Sequence, residues 1–127
     1  MKSFSYTKDA HGVYFPIIDF FAHHKKKATR VFALVDSGAT TSIFSQEIAE
    51  ELDLTIESGK EIFLGGITGR IKGYIHLLTL KIDKKKFIAP VVFSYEYKVS
   101  FNLLGRDSVF KQFAITFDER NLLTKFE

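Results

Sequence analysis

An apolar run, Phe32-Ala33-Leu34-Val35, ends abruptly in Asp36-Ser37-Gly38-Ala39. This junction constrains the chain more than any other stretch. A carboxylate at the end of a buried strand faces a desolvation penalty unless it finds a partner. Gly38 permits the tight turn that presents Asp36, or close backbone approach by a ligand. Small residues on both sides leave room for another chain. Asp-Ser-Gly also makes ordinary turns; its place after a buried strand is what singles it out. The tetrad occurs once in 127 residues. Chemistry that needs two such carboxylates therefore needs two copies of the chain.

The surrounding pattern is mostly strand. Phe4-Ser5-Tyr6 alternates as a short terminal strand. Val13 to Phe20 reads as a strand with Pro16 inside it, which suits an edge or a bulge. Lys25-Lys26-Lys27 turns the chain into Ala28 to Val35, the second arm of a hairpin leading to Asp36. Ser45 to Leu52 is the clearest helix: Ser45 is placed as N-cap, Glu47 sits in the first turn, and Ile48 and Leu52 share a face. Glu61 to Leu64 and Arg70 to Ile82 read as strands around Gly65-Gly66-Ile67-Thr68-Gly69. Gly73 is a candidate bulge, and Lys84-Lys85-Lys86 the next turn. Phe87 to Phe93 and Phe101 to Leu104 are further strands. Asp107 is placed to cap a short helix through Phe113. Ala114 to Phe117 and Leu122 to Phe126 flank a hairpin turn. The expected class is all-β, a closed barrel-like domain with one or two short helices.

Composition narrows the function classes. With 46% hydrophobic and 15% aromatic residues, residues 1–127 form one domain with a real core. The absence of cysteine excludes disulfides, thiolate metal sites and a cysteine nucleophile. No apolar run approaches the ~18 residues of a membrane span. The candidate leader, Val13 to Phe21, carries an internal acid and its positive charge follows it, the wrong order for a secretory signal. A soluble, cytoplasmic protein without a membrane partner is expected. The net charge of +3 resides largely in His23-His24-Lys25-Lys26-Lys27 and Lys84-Lys85-Lys86. These read as solvated turns, because no stacking aromatics or nucleic-acid motif accompany them. His23 and His24 belong to such a turn, and His76 reads as structural.

Two further elements bear on Asp36. In Phe101-Asn102-Leu103-Leu104-Gly105-Arg106-Asp107 a second apolar strand ends in glycine and a charged pair. In Leu64-Gly65-Gly66-Ile67-Thr68-Gly69 glycines gather at a hairpin centre around a lone apolar residue, as suits a lid. No Gly-Lys-Ser/Thr follows, so it is not a phosphate loop.

In this order the three elements resemble the retroviral-type (retropepsin-like) aspartic proteases, over about Ala28 to Phe113. Leu34 to Ala39 resembles the catalytic motif, Gly65-Gly66-Ile67-Thr68-Gly69 the flap, and Asn102 to Asp107 the element before the C-terminal helix, with Gly105, Arg106 and Asp107 at its end. The resemblance implies an acid-protease-like β-barrel and a homodimer in which Asp36 of each chain forms a dyad. Two carboxylates about 3 Å apart share one proton and titrate as a pair. The charged member takes a proton from water as it attacks a peptide carbonyl, and the protonated member donates to the carbonyl oxygen. No metal or cofactor is required. Ser37 would lock the dyad across the two-fold axis, and the Gly38 carbonyl would meet the substrate backbone, with Ala39 supporting the turn. The Ile67 amide would hold a water or the substrate. An extended peptide would add as a strand, with Leu34, Ile67, Phe101 and Leu103 lining its pockets. The alternatives that share these features are a non-catalytic peptide-binding or assembly module, and a nucleic-acid binder acting through the basic turns.

Overall fold

The computed structural model describes residues 1–66, 69–98 and 101–127. The described elements are, in chain order, β1 (Lys2–Ser5), β2 (Thr7–Lys8), β3 (Tyr14–Phe15), β4 (Ile17–His24), β5 (Lys27–Val35), β6 (Ser42–Phe44), α1 (Gln46–Glu51), β7 (Lys60–Gly66), β8 (Gly69–Ile82), β9 (Lys85–Phe93), β10 (Asn102–Leu104), β11 (Ile115–Asp118) and β12 (Leu123–Phe126). Single turns of 3-10 helix lie at Ile56–Ser58 and Phe110–Gln112.

The main sheet runs β4-β5-β10-β6-β9-β8-β7 and closes on itself because β4 also pairs β8. Closure uses Phe21–His23 against Thr79–Lys81. It leaves β8 with three partners: β9 along Tyr74 to Ile82, β7 along its first half and β4 along its second. Alternation fills the ring. Ile18, Phe20 and Ala22 of β4, Val31, Ala33 and Val35 of β5, and Leu78, Leu80 and Ile82 of β8 point inward and are buried. Each large aliphatic or aromatic side chain so buried contributes about 1.5–3 kcal/mol. The fold is thus all-β and barrel-like, as the sequence pattern implies.

A second sheet, β1-β12-β11, joins the two ends of the chain. Edge-to-face rings tie it to the barrel: Phe4–Phe126 at 5.7 Å, Phe113–Phe126 at 5.1 Å and Phe87–Phe113 at 5.9 Å. A small hairpin, β2–β3, bridges this sheet to the start of β4.

Several local expectations change. Pro16 does not sit within a strand; it separates β3 from β4, and its carbonyl accepts the Val35 N–H at 2.9 Å. Gly73 marks no bulge, since the β7–β8 register runs unbroken through it. A Cβ there would lie 2.5 Å from Val92 Cγ1, so packing demands the glycine. Ser45 precedes α1 but makes no side-chain cap bond; its N–H donates instead to Asn102 Oδ1 at 2.7 Å. Asp107 starts no helix. Ser108, next to it, adopts φ 63°, which turns the chain away from helical geometry, and Asp107 Oδ1 accepts the Ser108 hydroxyl. The expected helix through Phe113 is only the Phe110–Gln112 turn. Lys85 and Lys86 already belong to β9, so the turn before it is Asp83-Lys84. His23 and His24 are not solvated turn residues: both are half-buried in β4. Burial, with the charge of Lys25 and His76 nearby, pushes the His24 imidazole below its ordinary range. His76 is buried and bonds the Ile56 carbonyl oxygen through Nε2 at 2.8 Å, a structural role.

Candidate active site

Two strands that end side by side build the site. β5 and β10 run parallel, with Ala33, Leu34 and Val35 beside Asn102, Leu103 and Leu104. Both terminate at the same level, so the turn at Asp36 and the turn at Gly105 interlock. The Asp36 N–H donates to the Leu104 carbonyl at 3.0 Å. Returning bonds run from the Arg106 N–H to the Ala39 carbonyl at 2.9 Å and from the Asp107 N–H to the Thr40 carbonyl at 2.8 Å. Gly105 donates its own N–H to the buried Ser42 hydroxyl at 3.0 Å. The Arg106 guanidinium meets the Thr40 hydroxyl at 3.3 Å. Gly105, Arg106 and Asp107 therefore brace the catalytic-type turn through the backbone.

Within that turn, Asp36 Oδ1 accepts the Gly38 N–H at 2.9 Å, and the Asp36 carbonyl accepts the Ala39 N–H at 3.2 Å. The first bond is the kind an aspartate makes to a backbone two residues on. It holds the carboxylate by one oxygen. Asp36 is half-buried, while Ser37 and Gly38 are exposed beside it. The small, exposed Ser37-Gly38 pair leaves the approach to Asp36 open.

The β7–β8 hairpin stands over this turn. Gly66 pairs Gly69, so β7 and β8 meet within the glycine cluster. Gly69 adopts φ 125°, a conformation glycine tolerates and side chains rarely adopt. The expected tip residues Ile67 and Thr68 lie outside the described residues. Between hairpin and turn runs a crevice lined by Gly38 to Thr41, Ile43, Leu64 and Gly65. It continues into an apolar recess formed by Ile43, Leu64, Ile71 and Tyr97. Leu34 and Leu103 are half-buried neighbours across β5 and β10. Phe101 stacks on Phe15, ring centroids 5.1 Å apart. The crevice and recess are walled by Ile43, Leu64 and Tyr97, whereas Leu34, Phe101 and Leu103, expected as pocket residues, line neither.

Tyr97 is a site residue that the motifs do not point to. Its hydroxyl donates to the Phe101 carbonyl at 2.8 Å. Burial, with the Asp36 charge nearby, pushes its phenol up to about 12. The Asn102 side chain also escapes motif reading. It donates to the Phe32 carbonyl at 2.9 Å and accepts from the Ser45 N–H, pinning β10 to both neighbours. Only an uncompensated polar residue inside an apolar strand hinted at that.

The chain belongs to the aspartyl protease family, whose model matches residues 16–118. Its fold is that of retropepsin-like enzymes. A retropepsin-like aspartic protease from Rickettsia conorii superposes with TM-score 0.69 at 19% identity, covering 98% of this chain and 99% of the other. EIAV protease, in complex with the inhibitor HBY-793, superposes with TM-score 0.60 at 18% identity, covering 77% and 86%. No curated protein matches the sequence. Among the described residues, no helix is long and apolar enough to cross a membrane.

Proposed function

We propose that the protein is a homodimeric aspartic endopeptidase that cleaves extended peptides with apolar side chains beside the scissile bond. One observation carries this reading. Asp36 is presented on a doubly braced turn with one carboxylate oxygen held by the Gly38 N–H, and the residues that follow it in that turn, Gly38 to Thr41, wall a crevice with Ile43, Leu64 and Gly65. Two copies of that turn facing each other bring two Asp36 carboxylates together, and they hold one proton between them. The ionised one removes a proton from water as the oxygen attacks the carbonyl carbon. The protonated one gives its proton to the carbonyl oxygen, and the resulting gem-diol collapses with proton transfer to the leaving amine. In this dimer Ser37 bonds across the axis, and the Gly38 carbonyl accepts from the substrate backbone. The hairpin from Gly65 to Gly69 acts as the flap. Leu34, Phe101 and Leu103 complete the pockets that Ile43 and Leu64 begin. The substrate lies as an added strand, its alternate side chains seated in those pockets.

The test is digestion of a mixed peptide library, with new termini identified by mass spectrometry over a series of protein concentrations and from acid to neutral pH. Cleavage next to apolar residues is expected, with the rate per chain rising as dimer forms. No cleavage at any pH overturns the reading, and a concentration-independent rate per chain from a strict monomer overturns the shared dyad.

Tyr97→Phe gives a second outcome. It removes one hydrogen bond, worth about 1 kcal/mol, and unpins the Phe101 wall. KM for an apolar peptide is expected to rise while kcat changes little, because the phenol does not touch the reacting atoms. Steady-state kinetics on one defined peptide measures the split.

A further inference from the structure

We propose that the outer face of strands β5, β4, β8 and β9 is a platform for single-stranded nucleic acid, with a base stacked on Phe21 and phosphates held by the lysines around it. The platform is separate from the Asp36 turn: Arg30, at its margin, lies six residues before Asp36, about 20 Å along β5.

Register sets these residues on one face, because directly paired residues project to the same side of a sheet. Phe21 stands beside Arg30 of β5 and Lys81 of β8, and Lys81 stands beside Lys86 of β9. At about 4.8 Å between strands, this row spans about 14 Å. The next row sets His23 beside Thr79 and Thr79 beside Ile88, and the row after sets Leu77 beside Pro90. The alternate residues Phe20, Ala22, Leu78, Leu80, Phe87 and Ala89 form the core, so this face is turned to solvent. Phe21 is 48% exposed, Ile88 63% and Leu77 68%.

The two lysine turns bracket the face. β4 and β8 are antiparallel, so Lys25 lies beyond Phe21 in one direction and Lys84 beyond Lys81 in the other. From the His23–Thr79 pair, Lys25 falls level with Leu77, seven steps from Lys84. That is about 23 Å, the length of about seven stacked nucleotides at about 3.4 Å each. In the sequence no aromatic accompanies either lysine run; closure of β4 on β8 sets Phe21 between them. Lys25, Lys26, Lys81, Lys84 and Lys86 make no ion pair among the described residues. Asp19 and Asp53 are taken up by Arg30 and Lys27, which leaves Asp83 of the second turn against those lysines.

The form of the face selects its partner. Each of the four strands is paired on both sides, so a peptide finds no edge to extend. Cations run through the middle of the apolar residues, so Phe21 cannot enter hydrocarbon without drawing Arg30 and Lys81 in with it. A bare ring flanked by cations matches unpaired bases and their phosphates.

The test is fluorescence anisotropy of a labelled oligothymidylate of about 12 nucleotides, titrated with the full chain over a series of salt concentrations. Binding is expected, with log affinity falling against log salt by about 0.7 per phosphate held. Phe21→Ala removes stacking and no charge, so it is expected to weaken binding about tenfold at every salt and to keep the slope. Lys81→Gln combined with Lys86→Gln is expected to reduce the slope by about 1.4. Ile88→Glu, at an exposed position, sets an acid among the lysines and is expected to abolish binding; it reads the platform independently of Phe21. No binding at low salt overturns the proposal, as does a Phe21→Ala protein that binds as tightly as the parent. Equal affinity for a duplex of the same length overturns it too, because a duplex hides its base faces. Tighter binding to polyglutamate or to phosphatidylserine vesicles than to the oligonucleotide overturns it in favour of an acidic peptide or a membrane.

Discussion

Replacing Asp36 by Asn is expected to lower kcat for peptide hydrolysis by about 10³-fold or more, the scale of losing a positioned acid–base group. The loss should come without unfolding. Asparagine keeps an oxygen that accepts the Gly38 N–H, and Asp36 is half-exposed rather than part of the core. Thermal melting and sedimentation of the variant should therefore match the parent. A sharper form of the experiment mixes the two proteins. After exchange of subunits in an equal mixture, only about a quarter of dimers carry two carboxylates, so total activity falls to about half that of the parent alone. An enzyme complete in one chain would lose nothing on mixing. Unchanged cleavage by Asp36→Asn would remove Asp36 from the chemistry, and unchanged activity on mixing would remove the second chain.

The parts of this site that were legible in the sequence are local ones. The β-branched and apolar residues of Ala28 to Val35 predict a strand, and β5 spans Lys27–Val35 with every second residue buried from Val31. The glycines around Ile67 predict a hairpin, and β7 and β8 meet at Gly66 and Gly69. What was illegible depends on residues far apart in the chain. Nothing in Phe21-Ala22-His23 announces that it will pair Thr79-Leu80-Lys81 and close the barrel. Asn102 reaches Ser45 across the fold, so the entry to α1 is set by tertiary contact and not by the Ser45 hydroxyl. Gly73 carried a bulge signal, but its meaning is the closeness of Val92. Tyr97 follows no motif; its place at the site comes from the hydrogen bond that its hydroxyl donates to the Phe101 carbonyl, four residues on.

Gly105 is where the two turns touch, and Gly105→Ala is expected to be the most damaging conservative change outside Asp36. A Cβ at this position would lie 2.5 Å from the Thr41 carbonyl carbon, 2.6 Å from its oxygen and 2.9 Å from its nitrogen. These are backbone atoms, with no flexible side-chain end to swing away. Relief requires the two turns to separate, which strains the bonds from Arg106 to Ala39 and from Asp107 to Thr40. Overpacking of this kind costs about 1–3 kcal/mol, and more where the backbone cannot yield. A loss near 3 kcal/mol should lower Tm by about 10 °C in a domain of this size. Ser42→Ala provides the comparison. It leaves the buried Gly105 N–H without its acceptor, at a cost of about 1–3 kcal/mol, but it pushes nothing apart. Both variants should therefore melt early, and only Gly105→Ala should also move the Asp36 turn and depress kcat in the protein that remains folded. Equal kcat in the two would mean that the clash is absorbed away from Asp36. An unchanged Tm in Gly105→Ala would mean that the turns are not held at the separation described.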